Sequence, residues 1–295
     1  MLTRRNLLAA GAAVPVTAAG SGKMFLCMHQ TTSVAAGFRG SLEGYARAGI
    51  RHVELIPPLV EEFTRRESVA AARRLLSDLG LRAVSSGGVR GLAEPHEGRA
   101  QALEDLKRTA ALVAELGIDR MVCPCGTAEK FTADDYARGA ENLRQAGDIV
   151  KPLGITAMLE FMRGSTFIGT LPTALDVTRQ GAHTNVRPMF DCYHFWAGLS
   201  KFEDLDLIHD GEIHHVHFQD VPGIARELLD NGTREIPGDG VSPLTGIIRK
   251  LAEKHYRGPL SVELFYPQLQ KGDPFEVASR IRRKAEPILQ QAGVL

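Results

Sequence analysis

Two segments decide the fold: Ala48-Gly49-Ile50-Arg51-His52-Val53-Glu54 and Leu116-Gly117-Ile118-Asp119-Arg120-Met121-Val122. Each closes a helix-period stretch with a glycine suited to a left-handed cap and then opens an apolar, strand-like run. Working outward from these joints, strands are expected over 23–29, 51–56, 81–86, 119–123, 155–161, 186–191, 213–218 and 260–264. Between them, helical periodicity runs over 41–48, 69–79, 99–116, 133–151 (with Thr132 as cap), 172–180, 202–209, 242–255 and 274–290. No linker divides the chain, and neither a phosphate loop nor a dinucleotide fingerprint follows the first strand. Eight strand-then-helix units in this length predict a single (β/α)8 TIM barrel rather than a doubly wound sheet. Its active site is then expected at the C-terminal ends of the strands.

Composition narrows the partners. The chain has 295 residues, 44% hydrophobic and 24% charged, with 35 Lys plus Arg against 35 Asp plus Glu. That balance leaves no basic field for a polyanion, so neither nucleic acid nor membrane is expected as a partner. Thr3-Arg4-Arg5-Asn6-Leu7-Leu8 opens an uncharged, alanine-rich stretch ending in small residues at Val16-Thr17-Ala18-Ala19. It resembles a twin-arginine export signal and is too short to span a membrane. Residues 1–20 are therefore expected to be a signal peptide, 21–295 the barrel, and the location periplasmic. Four cysteines, Cys27, Cys123, Cys125 and Cys192, are too few for a disulfide framework in a chain this long. The Cys123-Pro124-Cys125 spacing does not match the two-residue gap of zinc or thioredoxin motifs.

Chemistry concentrates at the strand ends. Ile213-His214-His215-Val216-His217-Phe218-Gln219-Asp220 packs three histidines into a strand, where alternation puts His215 and His217 on one face. A lone buried histidine is more often a hydrogen-bonded core residue than a ligand. However, Glu160, Asp191 and Glu263 also stand where apolar strand gives way to loop. Carboxylates in such positions are expensive unless paired or bound to a cation. One divalent metal held by Glu160, Asp191, His217 and Glu263 accounts for all four. Three carboxylates and an imidazole form a hard site, favouring manganese or magnesium, with cobalt and zinc as further candidates.

Leu159-Glu160-Phe161, Phe190-Asp191-Cys192-Tyr193-His194-Phe195, Val216-His217-Phe218-Gln219-Asp220 and Gly238-Asp239-Gly240 before Ser261-Val262-Glu263-Leu264 together resemble the xylose isomerase-like barrel superfamily, in its sugar-phosphate isomerase and epimerase branch. The resemblance implies the same four metal ligands, with His217 preferred over His215. It also implies Glu160 and Glu263 as a catalytic acid/base pair that moves a proton through an enediolate of a ketose or keto-sugar. His194 matches a position that contacts substrate hydroxyls. Arg163, His215, Gln219 and Trp196 are further candidates for substrate binding. A small carbohydrate substrate and a homodimer or homotetramer follow from the same resemblance.

The chain departs from the ketose 3-epimerases of that superfamily at two positions. Thr166 stands where they carry a second glutamate, and Gly223 where they carry an arginine, leaving Arg163 and Arg226 as the nearest ionic substitutes. An inosose dehydratase or 3-keto-glycoside lyase using the same site is the alternative. A phosphodiester-cleaving endonuclease would need extra ligands from His29, Glu54 and His183, and a non-catalytic sugar-binding barrel would need no opposed glutamates.

Overall fold

In the computed structural model, which describes residues 24–126 and 129–295, Gly49 and Gly117 hold φ angles of 79° and 77°. The Gly49 N–H donates to Ala46 O and the Ile50 N–H to Tyr45 O, both at 3.0 Å. The Ile118 N–H reaches Val113 O at 3.2 Å in the same way. These bonds satisfy the last helical carbonyls and turn the chain back toward the sheet. The joint recurs at Gly80-Leu81 and Gly154-Ile155, and at His255-Tyr256, where a histidine takes φ 60°. In every case the residue after the turn is buried. Each aliphatic one contributes roughly 1.5–3 kcal/mol by leaving water.

The strands are β1 (Phe25–His29), β2 (His52–Leu55), β3 (Arg82–Gly87), β4 (Arg120–Pro124), β5 (Thr156–Glu160), β6 (Val186–Pro188), β7 (Phe190–Asp191), β8 (Val216–His217) and β9 (Pro259–Val262). Every pairing is parallel, in the order β6-β5-β4-β3-β2-β1-β9-β8-β7. Segments β6 and β7 are two halves of one stave that changes partner at Met189. The Met189 N–H donates to Leu159 O, whereas the Phe190 N–H turns to His215 O, both at 3.0 Å. That switch joins the two ends of the sheet, and the expected (β/α)8 barrel results. Val122, Met158 and Met189 pack together as a separate apolar cluster between neighbouring staves. The Met24 N–H donates to Val294 O at 3.1 Å, tying the start of the barrel to the last helix, Pro274–Ala292.

Several elements depart from expectation. The strand expected over 213–218 is regular only at Val216–His217. A helix at Pro57–Arg66 was not anticipated. Its two prolines occupy the first helical turn, where no N–H is needed. A short helix, Cys192–Ala197, starts directly on Asp191, whose carboxylate accepts from the His194 N–H at 2.6 Å. Thr132 caps its helix as expected, its N–H and hydroxyl both donating to Asp135 Oδ2 at 2.7 and 2.8 Å. All four cysteines are buried free thiols. The 1–20 export stretch lies outside the described residues, among which no helix is long and apolar enough to cross a membrane.

Gly44, on helix Gly37–Arg47, touches the last helix so closely that an added Cβ would run into Pro274 and stand 2.9 Å from Phe275 N. Gly44→Ala should therefore destabilise the fold by about 1–3 kcal/mol. Nothing lies within 4 Å of a Cβ at Gly164, so Gly164→Ala should stay within about 0.5 kcal/mol. Urea midpoints at unchanged slope report both; equal midpoints would contradict this packing.

Candidate metal centre

Four consecutive staves each deliver one donor to the C-terminal mouth. Glu160 ends β5, Asp191 ends β7, His217 ends β8, and Glu263 follows β9. One donor atom from each lies within 4.8 Å of every other. The His217 Nδ1 stands 3.1 Å from Glu160 Oε1, 3.5 Å from Asp191 Oδ2 and 3.5 Å from Glu263 Oε2. Two ligands each about 2.1 Å from one ion, at angles near 90–110°, stand roughly 3.0–3.4 Å apart. The donor set thus fits a divalent cation in both spacing and chemistry.

Burial sharpens the electrostatics. Glu160 and His217 are nearly inaccessible, Asp191 is fully so, and the Glu263 side chain retains 12% exposure, which marks the open side. Burial pushes the Glu160 carboxyl up to about 7; the neighbouring His217 pulls against this, and Asp191 and Glu263 reinforce it. Burial also opposes ionisation of Asp191 and Glu263. For Asp191, the Arg234 guanidinium outweighs it, with the neighbouring imidazoles, and holds the carboxyl below its usual range. For Glu263, His217 and Arg234 have the same effect. His217 rises well above its ordinary value, because Glu263 and Glu54 overcome the burial penalty on its charged form.

Arg234 was missed in the sequence. Its guanidinium, 1% exposed, reaches Glu263 Oε2 at 2.5 Å, Asp191 Oδ2 at 3.2 Å and His194 Nε2 at 3.0 Å. The arginine sought at 223 arrives instead at 234, after a loop with turns at Arg226–Leu228 and Asn231–Thr233. Asp220 folds that loop back. Its carboxylate accepts from the N–H groups of Val221, Gly238, Gly240 and Ser242 at 2.8–3.1 Å. A Cβ at Gly240 would stand 2.6 Å from Asp220 Oδ1, which explains the Gly-Asp-Gly run. An arginine just before Pro237-Gly238-Asp239-Gly240 was the available signal.

Other sequence candidates fall into two groups. His194 is buried at the mouth, and burial lowers its imidazole to about 4, so it acts as a neutral partner of Arg234. Together with Arg163, Arg90, Ser165, Asp230 and Asn231 it lines a cavity of about 440 Å³. The side-chain nitrogens of Arg163, however, donate to the backbone carbonyls of Ala197, Leu229 and Arg226, so it braces the loop instead of presenting a free cation. Gln219 is fully buried and donates to Asp191 Oδ2 at 2.7 Å, behind the site. His215 is also fully buried, with Nε2 on Glu54 at 2.8 Å, out of reach of a substrate. Trp196 packs with Tyr193, Ala197, Val221 and Leu229 under Arg226, and forms loop wall rather than a sugar floor. His183 lies before β6, at the opposite end of the barrel, with Nε2 3.4 Å from Asp148. It cannot join His29 and Glu54 in a three-metal cluster.

A family model described as xylose isomerase-like TIM barrel matches residues 42–286. An inosose isomerase of Halalkalibacterium halodurans is 31% identical over 147 residues, 49% of this chain and 52% of that protein. The match thus spans about half of that relative's length. A 3-dehydroshikimate dehydratase of Pseudomonas aeruginosa is 27% identical over 80% of this chain and 37% of its own length. Among solved structures, the IOLI protein with a bound zinc atom superimposes with a TM-score of 0.85 at 20% identity, covering 91% of this chain and 99% of its own. That likeness speaks to the fold. With the barrel and the extent of the family match in hand, the chain belongs to the xylose isomerase-like TIM barrel family.

Proposed function

We propose that this protein is a divalent-metal-dependent isomerase or epimerase acting on a ketose, inosose or other keto-sugar. The observation that carries it is the convergence of Glu160, Asp191, His217 and Glu263 donors within 4.8 Å. When bound, the cation, manganese first and magnesium, cobalt or zinc next, would polarise the substrate carbonyl and its neighbouring hydroxyl and acidify the carbon between them. Glu160 and Glu263 stand on the two outer staves of the four and flank the substrate position. Glu263, held ionised by Arg234, takes the proton from that carbon. Glu160, ionised while it serves as a ligand, takes the proton of the neighbouring hydroxyl and gives it either to the former carbonyl carbon or to the opposite face of the same carbon, and the proton held by Glu263 passes to the oxygen left bare. His194, backed by Arg234, holds a substrate hydroxyl at the edge of the cavity, whose volume falls in the range of small-molecule sites.

The match to a 3-dehydroshikimate dehydratase over 80% of the chain favours a second reading. After the same deprotonation by Glu263, a hydroxyl on the next carbon leaves as water with a proton from Glu160, and a carbon–carbon double bond forms. Arg4-Arg5 supports export. An exported enzyme would meet free keto-sugars and keto-glycosides rather than sugar phosphates.

Metal analysis of the purified chain should find close to one divalent ion, lost in the Glu160→Ala/Glu263→Ala double variant. A wild-type chain that stays metal-free in every cation would exclude the mechanism. Solvent deuterium should enter a bound keto-sugar, and Glu263→Gln should slow that exchange by about 10²–10⁴-fold while the protein still takes up metal. Wild-type exchange in Glu263→Gln would remove it as the base. Inosose and 3-dehydroshikimate panels, read for isomerised against dehydrated product, separate the two readings.

Metal uptake should also be proton-linked. In the metal-free site Glu160 titrates near 7 and His217 well above its usual value; both must deprotonate to become ligands. Lowering the pH through 7 therefore weakens binding. Titration calorimetry in buffers of different ionisation heat should find more protons released per ion at pH 6 than at pH 8. Proton release that does not change with pH would contradict the assignment.

A further inference from the structure

Glu54, on β2, is fully buried and faces three imidazoles. The His215 Nε2 lies 2.8 Å from Glu54 Oε2, and the His217 Nε2 stands 3.3 and 3.4 Å from its two oxygens. The His29 Nε2 lies 3.7 Å away. The His29 Nδ1 accepts the Thr31 N–H at 3.1 Å, so a neutral His29 carries its proton on Nε2, facing Glu54. The two nitrogens of His217 therefore face different tasks. Nδ1 looks at the three carboxylates of the metal centre, and Nε2 looks at Glu54.

A neutral imidazole has one N–H. If it sat on Nδ1, that atom would satisfy Glu160 as a hydrogen-bond donor, and the site would lose its only nitrogen ligand. We propose that Glu54 is a positioning residue that draws the His217 proton onto Nε2 and so presents the Nδ1 lone pair to the cation, with His215 and His29 keeping the Glu54 carboxylate in place. This rests on the metal reading above. His29, Glu54 and His217 also lie close enough together to hold an ion themselves. That occupancy excludes the proposed role, because the His217 Nε2 cannot both donate to Glu54 and bind a second cation.

The test uses the full chain loaded with Co²⁺. Competition against a chromophoric chelator should give one cobalt per wild-type chain. Glu54→Gln should keep that stoichiometry and lose roughly 10–100-fold in affinity, the usual effect of removing the partner behind a ligating histidine. Glu54→Asp, which retains the charge, should recover part of the loss. Proton NMR of the cobalt-loaded wild type should show one strongly shifted, exchangeable imidazole N–H, broadened by solvent exchange in Glu54→Gln. Wild-type affinity in a folded Glu54→Gln, two cobalt ions per wild-type chain, or no such N–H signal would each overturn the proposal. The last two need no variant and decide the matter if Glu54→Gln does not fold. A wild-type chain that binds no cobalt sinks the metal reading itself, an outcome distinct from an unaffected Glu54→Gln.

Discussion

Four carboxylates buried at one end of the barrel are the constraint around which the mouth is built. Glu54, Glu160, Asp191 and Glu263 are each removed from most or all of the solvent. An isolated buried carboxylate is unfavourable by several kcal/mol unless compensated. Among the described residues one guanidinium, that of Arg234, forms ion pairs with the group, and it serves only two of the four. The remaining compensation falls to protons, on His217 and on Glu160, or to a cation that displaces them. Burial raises Glu160 and the surrounding carboxylates raise His217, and both protons stand where a cation could replace them.

Compensation also explains the long excursion after β8. An arginine that is itself almost fully buried needs a rigid route into the site, and the loop over 221–242 supplies one. Asp220 gathers four backbone N–H groups, and an isolated bridge pairs Asp220 with Glu235. Arg234 is thereby fixed next to the bridge instead of at the end of a free loop. Arg163 donates to the carbonyls of Leu229 and Arg226 from the other side, so the loop is held at both edges. The side-chain nitrogens of Arg163, a substrate-binding candidate in the sequence, are spent on backbone carbonyls of that loop and of Ala197.

The barrel was legible because its joints are local. A left-handed glycine followed by a buried aliphatic residue involves six or seven consecutive residues, and nothing distant alters it. The carboxylates were legible for a related reason, since an acid at the end of an apolar strand contradicts its own neighbourhood. Whether the four donors bind metal and catalyse is a question of chemistry that their convergence supports. Arg234 was missed because its position depends on how a loop closes around Asp220, so only the Pro-Gly-Asp-Gly run that follows it, and no fixed spacing from His217, could have pointed to it. The pairing of Glu54 with His215 was out of view for a different reason. Strand alternation says which face a side chain takes, not how deep along the barrel axis it lies. His215 and His217 share a face, their rings 5.4 Å apart, but only His217 reaches the carboxylates at the mouth.

That depth ordering bears on the two reactions proposed for the site, isomerisation and elimination. From Glu54 upward through His217 to the three carboxylates, the layers are tied by short bonds and set by strands, so the cradle is a property of the staves. The cavity beside His194 is lined instead by loop residues, with Arg90, Ser165, Asp230 and Asn231 all lying outside the strands. Removing a proton beside a carbonyl needs only the cradle. The fate of the resulting electron pair depends on which carbon, or which leaving hydroxyl, the loops place near the Glu160 carboxyl. In the proposed reactions the outcome is set in the loop segments around 163–166 and 222–234, which carry Thr166 and Gly223, and the strand ends leave it open.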